Sequence, residues 1–171
     1  MPPAAAAAKG GPIMASRRSV LAGGAALAFW AALPARIAAA TGFEVTRTEA
    51  EWRALLSPQA YAVLRESATE QPWTSPLNEE HRAGVFACAG CALPLFSSET
   101  KFESGTGWPS FWAPLDNAVA TEQDRSWIMV RTEVHCRRCG GHLGHVFEDG
   151  PPPTGLRYCM NGVALAFQPA A

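Results

Sequence analysis

Helical spacing of apolar residues is confined to one stretch of the chain. Trp52, Leu55 and Leu56 follow Thr48-Glu49-Ala50-Glu51, and a threonine three residues ahead of a glutamate is the signature of a capping box. Ser57-Pro58 repeats the start signal, with serine at the N-cap and proline in the first turn, after which Tyr61 and Leu64 share a face. The pattern predicts two short helices within residues 48–66. From Gln71 onward the texture changes to short aromatic and β-branched runs punctuated by Pro, Gly and Ser. Trp127 to Val134 predicts a strand with Ile128, Val130 and Val134 on one face. Val163, Leu165 and Phe167 alternate with Gly162, Ala164 and Ala166 and predict a closing strand. No repeat of solenoid length is present. The residues therefore describe a mainly β, mostly antiparallel domain with a short helical lead-in.

One apolar run fits neither period. Ser19 to Ala35 is 17 uncharged residues that follow Arg17-Arg18 and precede Ala38-Ala39-Ala40. A basic start, a short apolar centre and small residues at a cut site make a secretory signal, with cleavage expected after Ala40. Two adjacent glycines and Pro34 interrupt the run, which is short for a membrane span of ~20 residues, so an uncleaved anchor is the lesser alternative. Ser16-Arg17-Arg18-Ser19-Val20-Leu21 resembles the twin-arginine export signal of bacteria. That resemblance implies export of an already folded protein through the twin-arginine export machinery to the periplasm. Residues 1–40 are thus expected to be a targeting segment and 41–171 one catalytic domain.

Charge sharpens this division. The first 40 residues carry Lys9, Arg17, Arg18 and Arg36 without one acid, and the whole chain is at −1, so the body is acidic at −5. An acidic body argues against nucleic acid as a partner. With 48% apolar and 17% charged residues, the chain is too apolar to be disordered.

Four of the five cysteines form two C-x2-C pairs, Cys88/Cys91 and Cys136/Cys139. Four thiolates in two knuckles suit tetrahedral, structural Zn²⁺, worth on the order of 10 kcal/mol to folding. Loading of zinc before export would protect the thiols from oxidants. Two disulfides are the alternative in an oxidising compartment, and a redox-active pair is another. A mixed site drawing on Cys136, Cys139, His142 and His145 would leave Cys88 and Cys91 without a task.

Cys159 stands apart, in Arg157-Tyr158-Cys159-Met160-Asn161. Arg157 and Asn161 would share its side of a regular strand, an odd set for a core face. An arginine there favours a thiolate, so Cys159 reads as a reactive thiol rather than an inert buried one. His142 and His145, in a Gly-rich turn beside a metal knuckle, read as proton carriers lining a site. His81 and His135 have no such context. Trp108, Phe111 and Trp112, in a loop stiffened by Gly105, Gly107 and Pro109, can wall a small apolar pocket or simply fill a core.

Taken in order, Cys88-x2-Cys91, Gly105-Thr106-Gly107-Trp108-Pro109-Ser110-Phe111, Cys136-x2-Cys139, His142-Leu143-Gly144-His145-Val146-Phe147 and Arg157-Tyr158-Cys159-Met160-Asn161 resemble the methionine-R-sulfoxide reductase B family from about Thr46 to Phe167. The resemblance implies two antiparallel sheets with a structural zinc held by the four paired cysteines. It implies Cys159 as the nucleophile that takes oxygen from methionine-R-sulfoxide and becomes a sulfenic acid. It implies His142 and His145 as the groups that handle the sulfoxide oxygen and its proton, Asn161 as an orienting residue, and Arg157 as support for the thiolate. Trp108, with Phe147, would receive the substrate and fix the epimer.

One departure is visible. Many members carry a second, resolving cysteine where this chain has Thr106. The sulfenic acid is therefore expected to be reduced by an external thioredoxin-like or other dithiol reductant. Two rivals differ in class: a zinc-ribbon binding module, which gives Cys159 no task, and a thiol oxidoreductase acting on disulfides through its C-x2-C pairs, which tight stoichiometric zinc would exclude.

Overall fold

The computed structural model describes residues 42–124 and 130–171; the apolar run of the first 40 residues lies outside them. Among the described residues, no helix is long and apolar enough to cross a membrane.

The lead-in is two helices, α1 (Glu49–Leu55) and α2 (Pro58–Glu66). Thr48 and Glu51 form the reciprocal capping box, and Ser57 Oγ accepts from the Ala60 amide ahead of Pro58 in the first turn. Trp52 is buried on α1, and Ala60, Tyr61, Val63 and Leu64 on α2. Among the described residues, nine strands form two antiparallel sheets. The smaller joins β1 (Gly84–Cys88), β2 (Pro94–Ser97) and β9 (Leu165–Pro169) in the order β2-β1-β9. The larger contains β3 (Lys101–Phe102), β4 (Ser110–Phe111), β5 (Val119–Asp124), β6 (Arg131–Cys136), β7 (His142–Phe147) and β8 (Arg157–Met160), ordered β3-β4-β8-β7-β6-β5.

The core is aromatic where the sheets meet. Phe96 stacks on Phe111 at 4.4 Å, and Phe86 meets Phe111 edge-on and Phe167 tilted, each at 5.0 Å. These contacts add specific geometry to the burial of the rings. Leu143, Val134 and Met160 complete the core, all fully buried.

Two expected strands differ in extent. The ladder of β6 with β5 runs from Arg131 to Cys136, so this strand reaches past Val134; Trp127 and Ile128 lie outside the described residues. Gly162–Ala164 is a 3₁₀ turn rather than the start of the last strand. The Glu70 carboxylate takes the amides of Gly162 and Val163, so these donors are not free to join a ladder. The strand begins only at Leu165.

Two details of backbone position the sheet face used below. The β6–β7 register passes from Val134↔Gly144 to His135↔His142 and leaves Leu143 unpaired. This bulge brings His142 and His145, three apart and so on opposite faces of a regular strand, to the same side, with ring centroids 5.5 Å apart. Gly144 lets β7 approach β8: a Cβ there would sit 2.1 Å from the Cys159 carbonyl oxygen. Gly144→Ala should therefore push β8 off β7 and cost on the order of 1–3 kcal/mol of stability, read as a lower denaturation midpoint in urea.

Candidate active site and metal cluster

Cys88 ends β1 and Cys136 ends β6, so the two knuckles hang from different sheets. Both are closed in the same way: the amide of the residue after the second cysteine returns to the first, Ala92 to Cys88 and Gly140 to Cys136, each at 2.8 Å. Both closing residues have positive φ, 57° at Ala92 and 67° at Gly140. The four Sγ atoms all lie within 4.8 Å of one another, with Cys88–Cys139 at 3.7 Å and Cys91–Cys136 at 3.5 Å. Bonds of ~2.3 Å from a tetrahedral zinc give S···S edges of about 3.8 Å. The spacing fits that ion, and it is far from the ~2.05 Å of a disulfide; all four cysteines are free.

The electrostatics agree. Contacts with Cys136, Cys139 and Cys91 push the Cys88 thiol above its ordinary range, whereas those from Cys139, Cys88 and Cys91 pull Cys136 below it. Four thiols packed this closely cannot all ionise without a cation. The helices cover the cluster: Leu64 abuts Gly90 and Gly141, Trp52 abuts Gly90, and Arg65 donates to the Cys139 carbonyl at 3.1 Å. The mixed Cys/His arrangement does not form, because both histidines engage carboxylates elsewhere.

Cys159 is the fifth free cysteine and lies apart from the cluster. In β8 it stands opposite His145 of β7 on one side and Ser110 of β4 on the other. His145 in turn stands opposite Glu133 of β6. Directly opposed residues share a face, so Ser110, Cys159, His145 and Glu133 form one row across the sheet. Phe147 and Arg157 make the next row, with the guanidinium 4.5 Å from the ring centroid.

This face is the floor of a cavity of about 170 Å³ lined by Cys159, His145, Phe147, Trp108, Asn161 and Arg131, with Thr69 and Gly144. Trp108 enters from the loop before β4 and donates Nε1 to the Glu70 carbonyl at 2.9 Å. Asn161 is only 3% exposed; its Oδ1 accepts from the Glu70 amide at 2.8 Å and its Nδ2 donates to the Leu143 carbonyl at 3.0 Å. Its amide thus ties the cavity wall to the bulge under the histidines.

Each histidine is backed by an acid. His142 Nδ1 lies 2.6 Å from Glu133 Oε1, and His145 Nε2 lies 3.0 Å from Asp124 Oδ2. An ionised carboxylate only accepts, so those nitrogens carry the protons. His142 Nε2 is buried and finds no hydrogen-bond partner among the described residues. Burial pushes the His145 imidazole below its ordinary value, against the opposing bond from Asp124. Arg157 is locked to Asp149 by two bonds of 2.8 Å. That pair, with a further contribution from the charge of Cys159, holds the guanidinium pKa above its usual value.

The structure thus gathers Cys159, His145, Asn161, Trp108 and Phe147 around one cavity. Arg157 stands beside it and His142 one ring further along the face. Sequence reasoning missed Glu70, Asp124, Arg131, Glu133 and Asp149. Only Arg131 and Glu133 left a signal, alternating with Thr132 and Val134 along the strand.

A two-sheet β domain bearing a four-thiol cluster and, apart from it, a single cysteine in a cavity with an aromatic wall belongs to a narrow class of thiol proteins. Comparison with known sequences agrees with that class. The family profile described as the SelR domain matches residues 56–169. The "Peptide methionine sulfoxide reductase MsrB" of Pseudomonas putida strain W619 is 56% identical over 127 residues, 74% of this chain and 96% of its own length. The protein of the same name from Agrobacterium fabrum is 51% identical over 130 residues, 75% and 96% of the two chains. That from Bradyrhizobium diazoefficiens is 55% identical over 130 residues, 75% and 94%. The chain belongs to the MsrB family.

Cys88→Ser and Cys139→Ser should each lose bound zinc, measured by elemental analysis, and lower the melting temperature sharply. A variant without metal that melts like the parent would remove the structural role of the cluster.

Proposed function

We propose that this chain reduces methionine-R-sulfoxide, in oxidised proteins or as the free amino acid, by oxygen transfer to Cys159. The observation that carries this reading is the juxtaposition of Cys159, outside the four-thiol cluster, with His145 and the Trp108 wall in one cavity. The relatives' names state the same overall activity.

In the proposed reaction the Cys159 thiolate attacks the sulfoxide sulfur. The S–O bond breaks, the oxygen passes to Cys159 with a proton, and methionine leaves. The cysteine sulfur is oxidised by two electrons to a sulfenic acid and the substrate sulfur is reduced by two. His142, backed by Glu133, and His145, backed by Asp124, hold the oxygen and bring the proton, directly or through a water. Arg157 favours the thiolate. Asn161 orients the site through the Leu143 carbonyl and the Glu70 amide. Trp108 and Phe147 receive the S-methyl group and select the epimer. A zinc ion on Cys88, Cys91, Cys136 and Cys139 supplies a structural cross-link between the sheets.

Regeneration follows the one-cysteine course. Thr106, with its hydroxyl 3.7 Å from Cys159 Sγ, stands where a resolving thiol would serve, and the remaining cysteines belong to the cluster. An external dithiol, of thioredoxin-like or similar type, attacks the sulfenic sulfur with release of water; its second thiol then breaks the mixed disulfide and returns Cys159.

The test offers separated R and S sulfoxides of a blocked methionine with dithiothreitol. The parent should turn over R alone, and Cys159→Ser should lose turnover by several orders of magnitude while keeping zinc and melting temperature. Equal use of both epimers, or an active Cys159→Ser, would refute the reading.

We further propose that residues 1–40 direct twin-arginine export to the periplasm, with cleavage near Ala40. The support is the Arg17-Arg18 pair ahead of the apolar run. Replacing both arginines by lysine should retain the protein in the cytoplasm, as read by cell fractionation; unchanged export would exclude this route.

A further inference from the structure

The loop that carries Trp108 also brings a string of hydroxyl groups to the reacting sulfur. Thr106 Oγ1 lies 3.7 Å from Cys159 Sγ. Ser104 Oγ lies 2.8 Å from Thr106 Oγ1 and 2.7 Å from Ser110 Oγ. Ser110 is itself the residue opposite Cys159 in the β4–β8 ladder and is 1% exposed. The string therefore begins and ends beside the same cysteine, anchored at one end by the sheet and at the other by the loop.

A hydroxyl has one proton and two acceptor positions, so such a string runs in either of two senses. A thiolate only accepts. When Cys159 is ionised, the favoured sense has Ser110 donating to Ser104, Ser104 to Thr106 and Thr106 to the sulfur, each bond polarising the next. Two neighbours tune it. The Thr106 amide donates to Ser104 Oγ at 3.4 Å, and the Trp108 carbonyl draws the Ser110 hydroxyl at 3.2 Å. The second contact competes for the first proton of the string, so the proton position responds to the charge on Cys159. Arg157, anchored by two bonds to Asp149, keeps donors for the sulfur as well, so the hydroxyl string acts beside it.

We propose that the Thr106 hydroxyl, aimed by Ser104 and Ser110, donates to the Cys159 thiolate and favours that form of the sulfur over the thiol. Thr106 touches the reacting atom; Ser104 and Ser110 are positioning residues. The proposal rests on Cys159 being the nucleophile.

The experiment is alkylation of residue 159 by iodoacetamide across pH in the zinc-loaded full chain, quantified on the labelled peptide by mass spectrometry, together with turnover. Thr106→Val keeps the shape and removes the hydroxyl. It should raise the alkylation midpoint by at least about half a pH unit and slow labelling at neutral pH about threefold. The alkaline plateau should stay unchanged, because access to the sulfur is unaltered. Thr106→Ser should restore the parent midpoint, and Ser104→Ala should shift it part of the way. A parental midpoint in Thr106→Val, or an equal shift in Thr106→Ser, overturns the role of the hydroxyl. If that happens in a protein that Cys159→Ser inactivates, only the hydroxyl is dismissed. An active Cys159→Ser would dismiss the nucleophile and this proposal together.

Discussion

The backbone register of one four-residue strand decides where the chemistry lies. Arg157–Met160 is bonded on both sides, with Cys159 opposite His145 in one neighbour and opposite Ser110 in the other. A slip by one residue would turn Cys159 into the core and bring Tyr158 or Met160 to the cavity, because side chains alternate between faces. The fully buried Met160 on one side and the missing Cβ of Gly144 on the other hold the register. Every contact of the sulfur described above follows from that alignment.

Around this strand the protein keeps two kinds of cysteine separate. Four are drawn together at the ends of β1 and β6, beneath the two helices, where close packing of thiols demands a cation. The fifth is held on an open face among groups that engage it one at a time. The same element thus serves as a clamp in one place and as a reagent in the other, and the difference is one of neighbours. Arg65, on the second helix, bonds the Cys139 carbonyl, so the helical lead-in is part of the clamp.

Much of this was legible in the residues, wherever the physics is local. The capping box at Thr48, the Ser57-Pro58 start and the paired knuckles depend on neighbours in sequence, and each forms as expected. Cys159 could be picked out as the lone unpaired cysteine, the family resemblance implied Trp108, and the cavity contains both. What could not be read depends on long-range pairing. Nothing local marks Leu143 as the unpaired residue that turns His142 and His145 to one face. Glu133 and Asp124 become partners of those rings only through the order β7-β6-β5. The expected closing strand starts late because a carboxylate some 90 residues away takes its first amides.

That carboxylate belongs to Glu70, and its reach is wider than the turn it caps. Through its carbonyl it holds the indole of Trp108, through its amide Asn161, and through its side chain the turn that follows Cys159. One residue therefore serves as a common fulcrum for the aromatic wall and the end of the strand bearing the sulfur. The indole and the turn after Cys159 are thereby referred to the same short stretch of backbone and side chain. In the proposed reaction, choice between the two epimers at the sulfoxide sulfur would rest on that shared anchor.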